Sequence, residues 1–158
     1  MKHAFAAGGP IHTITLSAGT VQAGADADAG ADKPVANAGR PPTLVATTGK
    51  MIYLLRSDTL TPLKTHTLPY AISSAALHPD GTCLVVGAKD DLWVRLIDAG
   101  TATELKLEKG HHGPVHTVQF SPDGALYATG SEDGTIRLWQ TTPGTAYGLW
   151  QPAAASEP

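Results

Sequence analysis

Residues 110–140 read GHHGPVHTVQFSPDGALYATGSEDGTIRLWQ, and this stretch decides the fold. Apolar and polar residues alternate in two of its segments, 115–120 and 135–140, as they do in half-buried strands. A Pro-Asp-Gly turn at 122–124 and an Asp-Gly turn at 133–134 are typical of connections between antiparallel strands. The stretch therefore predicts three strands, at 115–120, 125–130 and 135–140.

The same pattern recurs twice earlier in the chain. Another Pro-Asp-Gly lies at 79–81, 43 residues before the one at 122–124, and residues 9–17 repeat the Gly-Pro-x-His-Thr pattern of 113–121. The earlier copies predict strands at 43–47, 51–56, 63–67, 72–77, 83–88, 92–97 and 103–108. No segment has helical periodicity, so the predicted fold class is all-β.

The repeats divide the chain into three units, at 1–68, 69–110 and 111–150. Residues 18–42 interrupt the first unit, and fifteen of these 25 residues are Ala, Gly or Asp. Because such a composition cannot offset the entropy of ordering, we expect a flexible insertion in an enlarged hairpin loop. A linker between two domains is the alternative. We expect the Ala-rich end, 151–158, to be disordered.

Composition excludes several classes of protein. The chain has 158 residues, a net charge of −3, 42% apolar residues and 16% charged residues, which is a globular composition. The acidic balance argues against nonspecific binding to nucleic acid or to anionic membranes. The single cysteine excludes an internal disulfide framework and a cysteine-rich zinc site. No apolar run spans a membrane, and the N-terminus is a poor signal peptide, so we expect an intracellular protein.

The period near forty, the four short strands per unit and two marker positions resemble a WD40 β-propeller. The markers are Gly110-His111 before the first strand and Trp139 at the end of the third, where Gln140 replaces the usual Asp. The resemblance implies a polar network of His111, Thr129, Asp133 and Trp139. Such a network is structural: a buried indole N–H needs an acceptor, which a hydroxyl supplies, and a histidine can join that hydroxyl to a carboxylate.

The middle unit departs from this network. Leu68, Val86 and Ile97 stand at the His, Thr and Trp positions, and Asp90 is predicted to stand at the Asp position. Apolar substitutes keep such a site dry, which fits a structural role.

Two chemical alternatives exist for residues in and around this network. A hydrolase using the His–Asp–Thr set is one, since an activated hydroxyl can act as a nucleophile. A metal site at His111, His112 and His116 is the other, but no Cys or nearby carboxylate completes it. We therefore expect no enzyme activity, no metal and no cofactor.

A narrower resemblance rests on residues 109–141, on the Tyr-Gly-Leu-Trp piece at 147–150 and on residues 72–79. These resemble the C-terminal repeats of the serine/threonine kinase receptor-associated protein (UNR-interacting protein) family. The resemblance implies a seven-bladed, non-catalytic adaptor in cytoplasm and nucleus. Its implied partners are the survival-of-motor-neuron complex, which assembles spliceosomal ribonucleoproteins for mRNA splicing, the RNA-binding protein UNR, TGF-β receptors and inhibitory Smads.

The insertion at 18–42 and the missing N-terminal half depart from that family. A WD40 scaffold subunit of a translation-initiation factor complex is the alternative, although the Tyr-Gly-Leu-Trp piece argues against it. Direct nucleic-acid binding is not expected, because no stripe of Lys and Arg with interleaved aromatics is present.

Four residues are candidate protein-binding positions: Tyr147, Trp150, Asp123 and Glu132. Asp123 and Glu132 could equally be solvated turn residues, and 147–150 could equally be an outer strand packed on the last blade. Propellers close with four to eight blades. Three blades cannot close a ring, so we expect a truncated product, or a chain that needs further blades or another chain.

Overall fold

The computed structural model describes residues 4–17 and 42–144 of the chain. Every regular element within these ranges is a β-strand, which confirms the predicted all-β class. None of the described residues forms a helix long and apolar enough to cross a membrane. The strands are β1 (Thr13–Ser17), β2 (Thr43–Thr48), β3 (Met51–Arg56), β4 (Pro62–Thr67), β5 (Ile72–Leu77), β6 (Cys83–Ala88), β7 (Val94–Asp98), β8 (Glu104–Glu108), β9 (Val115–Phe120), β10 (Leu126–Ser131) and β11 (Ile136–Gln140).

The strands form three antiparallel sheets in chain order. The first sheet has the order β1-β2-β3-β4, the second β5-β6-β7-β8, and the third, in its described part, β9-β10-β11. The opening strand of each sheet contacts the next sheet, since β5 packs beside β1 and β9 packs beside β5. The sheets therefore stack as successive blades of an incomplete propeller.

Two apolar cores hold the stack together. One lies between the first and second sheets and includes Ile52, Leu84 and Ile97. The other lies between the second and third sheets and includes Val85 and Tyr127. Because both faces of the second sheet are covered, β6 is buried along its whole length and its sequence is a continuous apolar run.

Hydroxyl groups add polar contacts between the opening strands. Thr13 Oγ1 donates to the carbonyl of Ser73 at 2.7 Å, and Thr15 Oγ1 donates to the carbonyl of Ala75 at 2.7 Å. Ser73 Oγ in turn donates to the carbonyl of Val115 in the third sheet. These contacts fix the relative position of neighbouring sheets along the strand direction.

The two strands that flank residues 18–42 belong to one sheet. β1 pairs with β2 in a register that places Ser17 opposite Thr43. Whether residues 18–42 form an enlarged hairpin loop or a linker stays a prediction. Residues 18–41 of the predicted insertion, and the predicted tail at 151–158, lie outside the described residues.

Strand β7 begins later than its sequence pattern predicts. The pattern predicts a strand at 92–97, whereas β7 spans Val94–Asp98. The Asp91 carboxylate accepts a hydrogen bond from the N–H of Trp93 at 2.9 Å, which keeps Leu92 and Trp93 in the turn.

Candidate functional site

The third sheet brings together the four residues of the predicted network. Thr129 Oγ1 lies 2.8 Å from Trp139 Nε1 and 2.7 Å from His111 Nε2. The two strand residues meet because Thr129 pairs with Arg137, and Trp139 is two positions further along β11 on the same face. Thr129 and His111 are both buried.

The network continues from His111 to Asp133. His111 Nδ1 lies 3.2 Å from Asp133 Oδ2 and 3.1 Å from Thr135 Oγ1. A neutral imidazole with its proton on Nδ1 satisfies this geometry: the ring donates towards Asp133 and accepts the Thr129 O–H at Nε2. The Thr129 oxygen is then free to accept the indole N–H of Trp139. Each polar group of this network therefore has a hydrogen-bond partner inside the blade.

Asp133 is held by backbone and hydroxyl donors. Its Oδ1 accepts from Thr135 Oγ1 at 2.6 Å, and its Oδ2 accepts from the N–H of His112 at 2.7 Å. The Thr135 hydroxyl first, and then the His112 N–H, hold the pKa of the Asp133 carboxyl well below its usual range. Asp133 therefore ties the turn before β11 to the segment that precedes β9.

Sequence reasoning missed Thr135, although a local signal was present. The Asp-Gly-Thr run at 133–135 also occurs at 80–82. There, Thr82 Oγ1 donates to Asp80 Oδ1 at 2.6 Å, as Thr135 does to Asp133. The short spacing lets one carboxylate oxygen accept both the N–H and the hydroxyl of the Thr.

Close packing surrounds the network. The Trp139 ring is stacked on Tyr127 at a centroid distance of 6.4 Å and meets His111 edge-on at 6.1 Å. A Cβ placed on Gly113 would lie 2.8 Å from the backbone nitrogen of Asp133, so only glycine fits there without a shift of the turn. Burial raises the pKa of the Tyr127 hydroxyl. These contacts surround Thr129, which is buried.

In the second sheet, the positions equivalent to Thr129 and Trp139 are apolar. The residue at the position equivalent to Asp133 differs from the predicted one. Val86 pairs with Arg95 as Thr129 pairs with Arg137, so Val86 and Ile97 occupy the Thr and Trp positions as predicted. The sequence pattern predicts Asp90 at the Asp position, but strand register places Asp91 there. The Asp91 carboxylate accepts a hydrogen bond from the N–H of Trp93, two residues later, as the Asp133 carboxylate does from the N–H of Thr135. The assignment failed because the β6–β7 turn is one residue longer than the alignment assumed.

Asp91 has a partner that Asp133 lacks. Arg95 Nη2 lies 2.7 Å from Asp91 Oδ2, and the Arg95 guanidinium lies 4.1 Å from the centroid of the Tyr70 ring. Trp93, which is 37% exposed, has the Lys109 ammonium 4.7 Å from its ring centroid. Leu92 beside it is equally exposed. This rim of Leu92, Trp93 and Lys109 was not found from the sequence, because it depends on the length of the turn.

The candidate protein-binding residues lie apart from one another. Asp123 lies in the turn before β10, where the Ser121 hydroxyl lowers the pKa of its carboxyl and the N–H of Ala125 donates to it at 3.0 Å. Glu132 lies at the other end of β10 with a largely exposed side chain, 3.4 Å from His116 Nε2. Tyr147 and Trp150 lie outside the described residues.

Outside the network, the described residues include a buried thiol and a surface depression. Cys83 is buried, and burial raises the pKa of its thiol to about 11. Within 4–17 and 42–144, no three His, Cys, Asp or Glu side chains are grouped to hold a metal ion. A depression of about 230 Å³ between the first two sheets has Lys64 as the single ionisable residue of its lining.

Comparisons with known proteins agree with this architecture. The model of the "WD domain, G-beta repeat" family matches residues 57–98 and 103–140. Serine-threonine kinase receptor-associated protein of Gallus gallus is 53% identical over 108 residues, which are 68% of this chain and 31% of that protein. The Homo sapiens protein is 49% identical over the same shares, and the Dictyostelium discoideum protein is 45% identical over 61% of this chain and 33% of its own length. The chain thus spans about a third of the length of these relatives.

Proposed function

This chain belongs to the WD domain, G-beta repeat family, and from that premise we propose that it is a non-catalytic adaptor that binds other proteins. The main support for the proposal is that the hydrogen bonds of the polar network are satisfied by its own residues. Thr129 is 1% exposed, and its oxygen already has the indole N–H of Trp139 and the His111 ring as partners. A nucleophilic hydroxyl needs a free approach for the substrate, and this one has none.

The exposed rim supports protein binding rather than catalysis. Trp93 and Leu92 expose apolar area beside the Lys109 ammonium, and such aromatic anchors are common at the centre of protein interfaces. Asp123 and Glu132 are exposed acidic positions in the turns at the two opposite ends of β10. They would contribute at the polar edge of an interface, where single charges have small effects.

The relatives' name and the family resemblance suggest which partners to test. We propose association with a serine/threonine kinase receptor and with the survival-of-motor-neuron complex, and therefore action in cytoplasm and nucleus during ribonucleoprotein assembly and splicing. The alternative is a scaffold role in a translation-initiation factor complex. Partner surfaces on the part of the relatives that this chain does not match are outside the proposal.

Pulldown of the tagged chain from cells, read by mass spectrometry, tests the proposal. We expect ribonucleoprotein-assembly proteins or a receptor kinase with the wild-type chain, and a reduced yield with Trp93→Ala. Leu63→Ala is the matched control, since it truncates an exposed apolar side chain on β4 of the first sheet, away from the rim. Recovery of initiation-factor subunits alone would overturn the partner assignment.

A second measurement tests the adaptor class itself. Asp133→Asn is expected to lower folding stability and partner binding together, because the network is structural. If Asp133→Asn keeps the wild-type unfolding curve but loses a specific hydrolytic turnover, the chain is an enzyme and the proposal fails.

A further inference from the structure

The rim of Leu92, Trp93 and Lys109 lies at one end of the outer strands of the second sheet. Trp93 precedes β7 and Lys109 follows β8, and the two strands pair antiparallel at this end. We propose that the rim, together with Arg137 of the third sheet, binds an acidic peptide segment of a partner protein. An apolar side chain of the segment would pack on Trp93, and its carboxylates would pair with Lys109 and Arg137. This binding deepens the adaptor role proposed above and rests on it.

The Trp93 ring is exposed but held in place before any partner binds. The Lys109 ammonium lies 4.7 Å from the centroid of the ring, and the Arg95 guanidinium lies 5.5 Å from it. The backbone N–H of Trp93 donates to Asp91 Oδ1 at 2.9 Å. Because an ordered aromatic side chain loses little conformational freedom on binding, Trp93 is suited to anchor a partner.

The two cations beside Trp93 differ in their ion pairs. Arg95 Nη2 lies 2.7 Å from Asp91 Oδ2, and Arg95 Nε lies 3.4 Å from Glu104 Oε2. Within residues 4–17 and 42–144, Lys109 has no carboxylate partner. A carboxylate of a partner would therefore gain an ion pair at Lys109 without breaking an existing one.

Arg137 places a second cation next to Lys109. A Cβ on Gly110 would lie 3.0 Å from Arg137 Nη1, so the guanidinium lies against the backbone of the residue that directly follows Lys109. In the described part of the chain, Arg137 forms no ion pair and its buried Nε has no hydrogen-bond partner. A guanidinium can bind a carboxylate through two parallel hydrogen bonds. The two neighbouring cations therefore favour a segment with more than one carboxylate.

The surrounding charges do not cancel these two cations. Glu108 already pairs with Lys106. The exposed Asp90 follows the exposed Lys89 in the β6–β7 turn, so this pair adds no net charge. The rim is thus locally cationic on a chain whose net charge is −3. Such a local excess of positive charge attracts an acidic segment.

Single-stranded RNA is the competing ligand, because it also carries anions and rings that stack on tryptophan. Proteins that bind it combine many phosphate contacts with several stacked bases. The rim offers one exposed aromatic ring, that of Trp93, and two cations without an ion pair in the described ranges, Lys109 and Arg137. These few groups suit a short acidic peptide better than a nucleic-acid strand.

Fluorescence polarisation with the purified full-length chain tests the proposal. The probe is a short fluorescein-labelled peptide in which Asp and Glu surround one Phe and one Leu. The control peptide has Asn and Gln in place of Asp and Glu. We expect saturable binding of the acidic peptide and none of the control. Raising the salt from about 0.1 M to about 1 M should weaken binding, because the Debye length falls from about 10 Å to about 3 Å.

Variants of the chain assign the binding to the rim. Trp93→Ala and Lys109→Gln should each weaken binding of the acidic peptide roughly fivefold or more. Trp93→Phe keeps a ring and should stay within about twofold of the wild-type chain. Leu63→Ala and Lys64→Gln are the matched controls, since they change an exposed apolar residue and an exposed lysine on β4 of the first sheet. Urea unfolding of each variant checks that the fold is kept.

Three results would overturn the acidic partner. One is the absence of binding by the acidic peptide. Another is equal weakening by Lys109→Gln and Lys64→Gln, which would mean that only the overall charge matters. The third is tighter binding of a single-stranded oligouridylate than of the peptide. The pulldown separates these failures from failure of the adaptor role: if Trp93→Ala still reduces its yield while the peptide does not bind, the adaptor role stands and the acidic partner is wrong.

Discussion

His78 Nε2 lies 3.0 Å from the carbonyl oxygen of Gly124, so the side chain that precedes one Pro-Asp-Gly turn donates to the backbone of the other. The imidazole also meets the Phe120 ring edge-on at a centroid distance of 5.0 Å. The two turns, one in the second sheet and one in the third, are therefore joined by a polar and an aromatic contact. These contacts lie at the edge of the apolar core between the second and third sheets.

Gly124→Ala should destabilise the chain more than Gly134→Ala. Both glycines have φ near +75°, at 73° and 80°, so alanine at either site costs about 1–2 kcal/mol of backbone strain. At Gly124 the new Cβ would also overlap the His78 ring, whereas at Gly134 it meets open space. We expect a further 1–3 kcal/mol, roughly, from that overlap in urea unfolding. Equal losses, or a difference that persists after His78→Ala, would contradict this reading.

Thr129→Val should lower the free energy of unfolding by about 1–3 kcal/mol, because it leaves the buried Trp139 indole and the His111 ring without their shared partner. Thr117→Val is the matched control. Thr117 is an exposed threonine on the adjacent strand, so its change should stay within about 0.5 kcal/mol. Chemical unfolding followed by Trp fluorescence measures both. Losses of the same size in the two variants would show that the network adds no stability.

The strands could be predicted from local patterns, the network was implied by the family resemblance, and other contacts were missed because they are non-local. Thr129 and Trp139 meet because strand alternation and a tight turn place them on one face, and both signals are readable in a single hairpin. His78 meets Gly124 only after two sheets stack, which no local pattern encodes. The prediction of Asp90 rather than Asp91 was wrong because the β6–β7 turn is one residue longer than the repeat pattern implies. The length of this turn depends on which carboxylate accepts the backbone N–H of Trp93, and here it is that of Asp91.

Acid should destabilise the wild-type chain, in part by removing the contribution of Asp133. The pKa of Asp133 is lower in the folded chain than its usual value of about 4. Its stabilising contribution is therefore complete above that value and is lost as pH falls towards the lower folded pKa. The free energy of unfolding, measured from pH 7 to pH 2, should fall steeply below about pH 5. In Asp133→Asn the curve should start lower and be flatter in the acid range.

Glu132→Gln separates this effect from a general loss of negative charge. Glu132 is exposed and lies at 3.4 Å from an exposed histidine, so its replacement removes one charge without touching the network. Its acid profile should follow that of the wild-type chain. If Asp133→Asn and Glu132→Gln give superimposable profiles, the hydrogen bonds to Asp133 do not govern acid stability.

Cys83 should react slowly with thiol reagents in the folded chain. It is the single cysteine of the sequence, it is 6% exposed between the second and third sheets, and burial raises the pKa of its thiol to about 11. At pH 8 the thiolate population should be roughly two orders of magnitude below that of an unfolded chain, and the reagent also lacks access. Labelling with a chromogenic disulfide, with and without urea, measures the ratio. Thr129→Val should raise the native rate by populating the unfolded state, whereas Thr117→Val should not. A native rate equal to the rate in urea would mean that the core between these two sheets does not form.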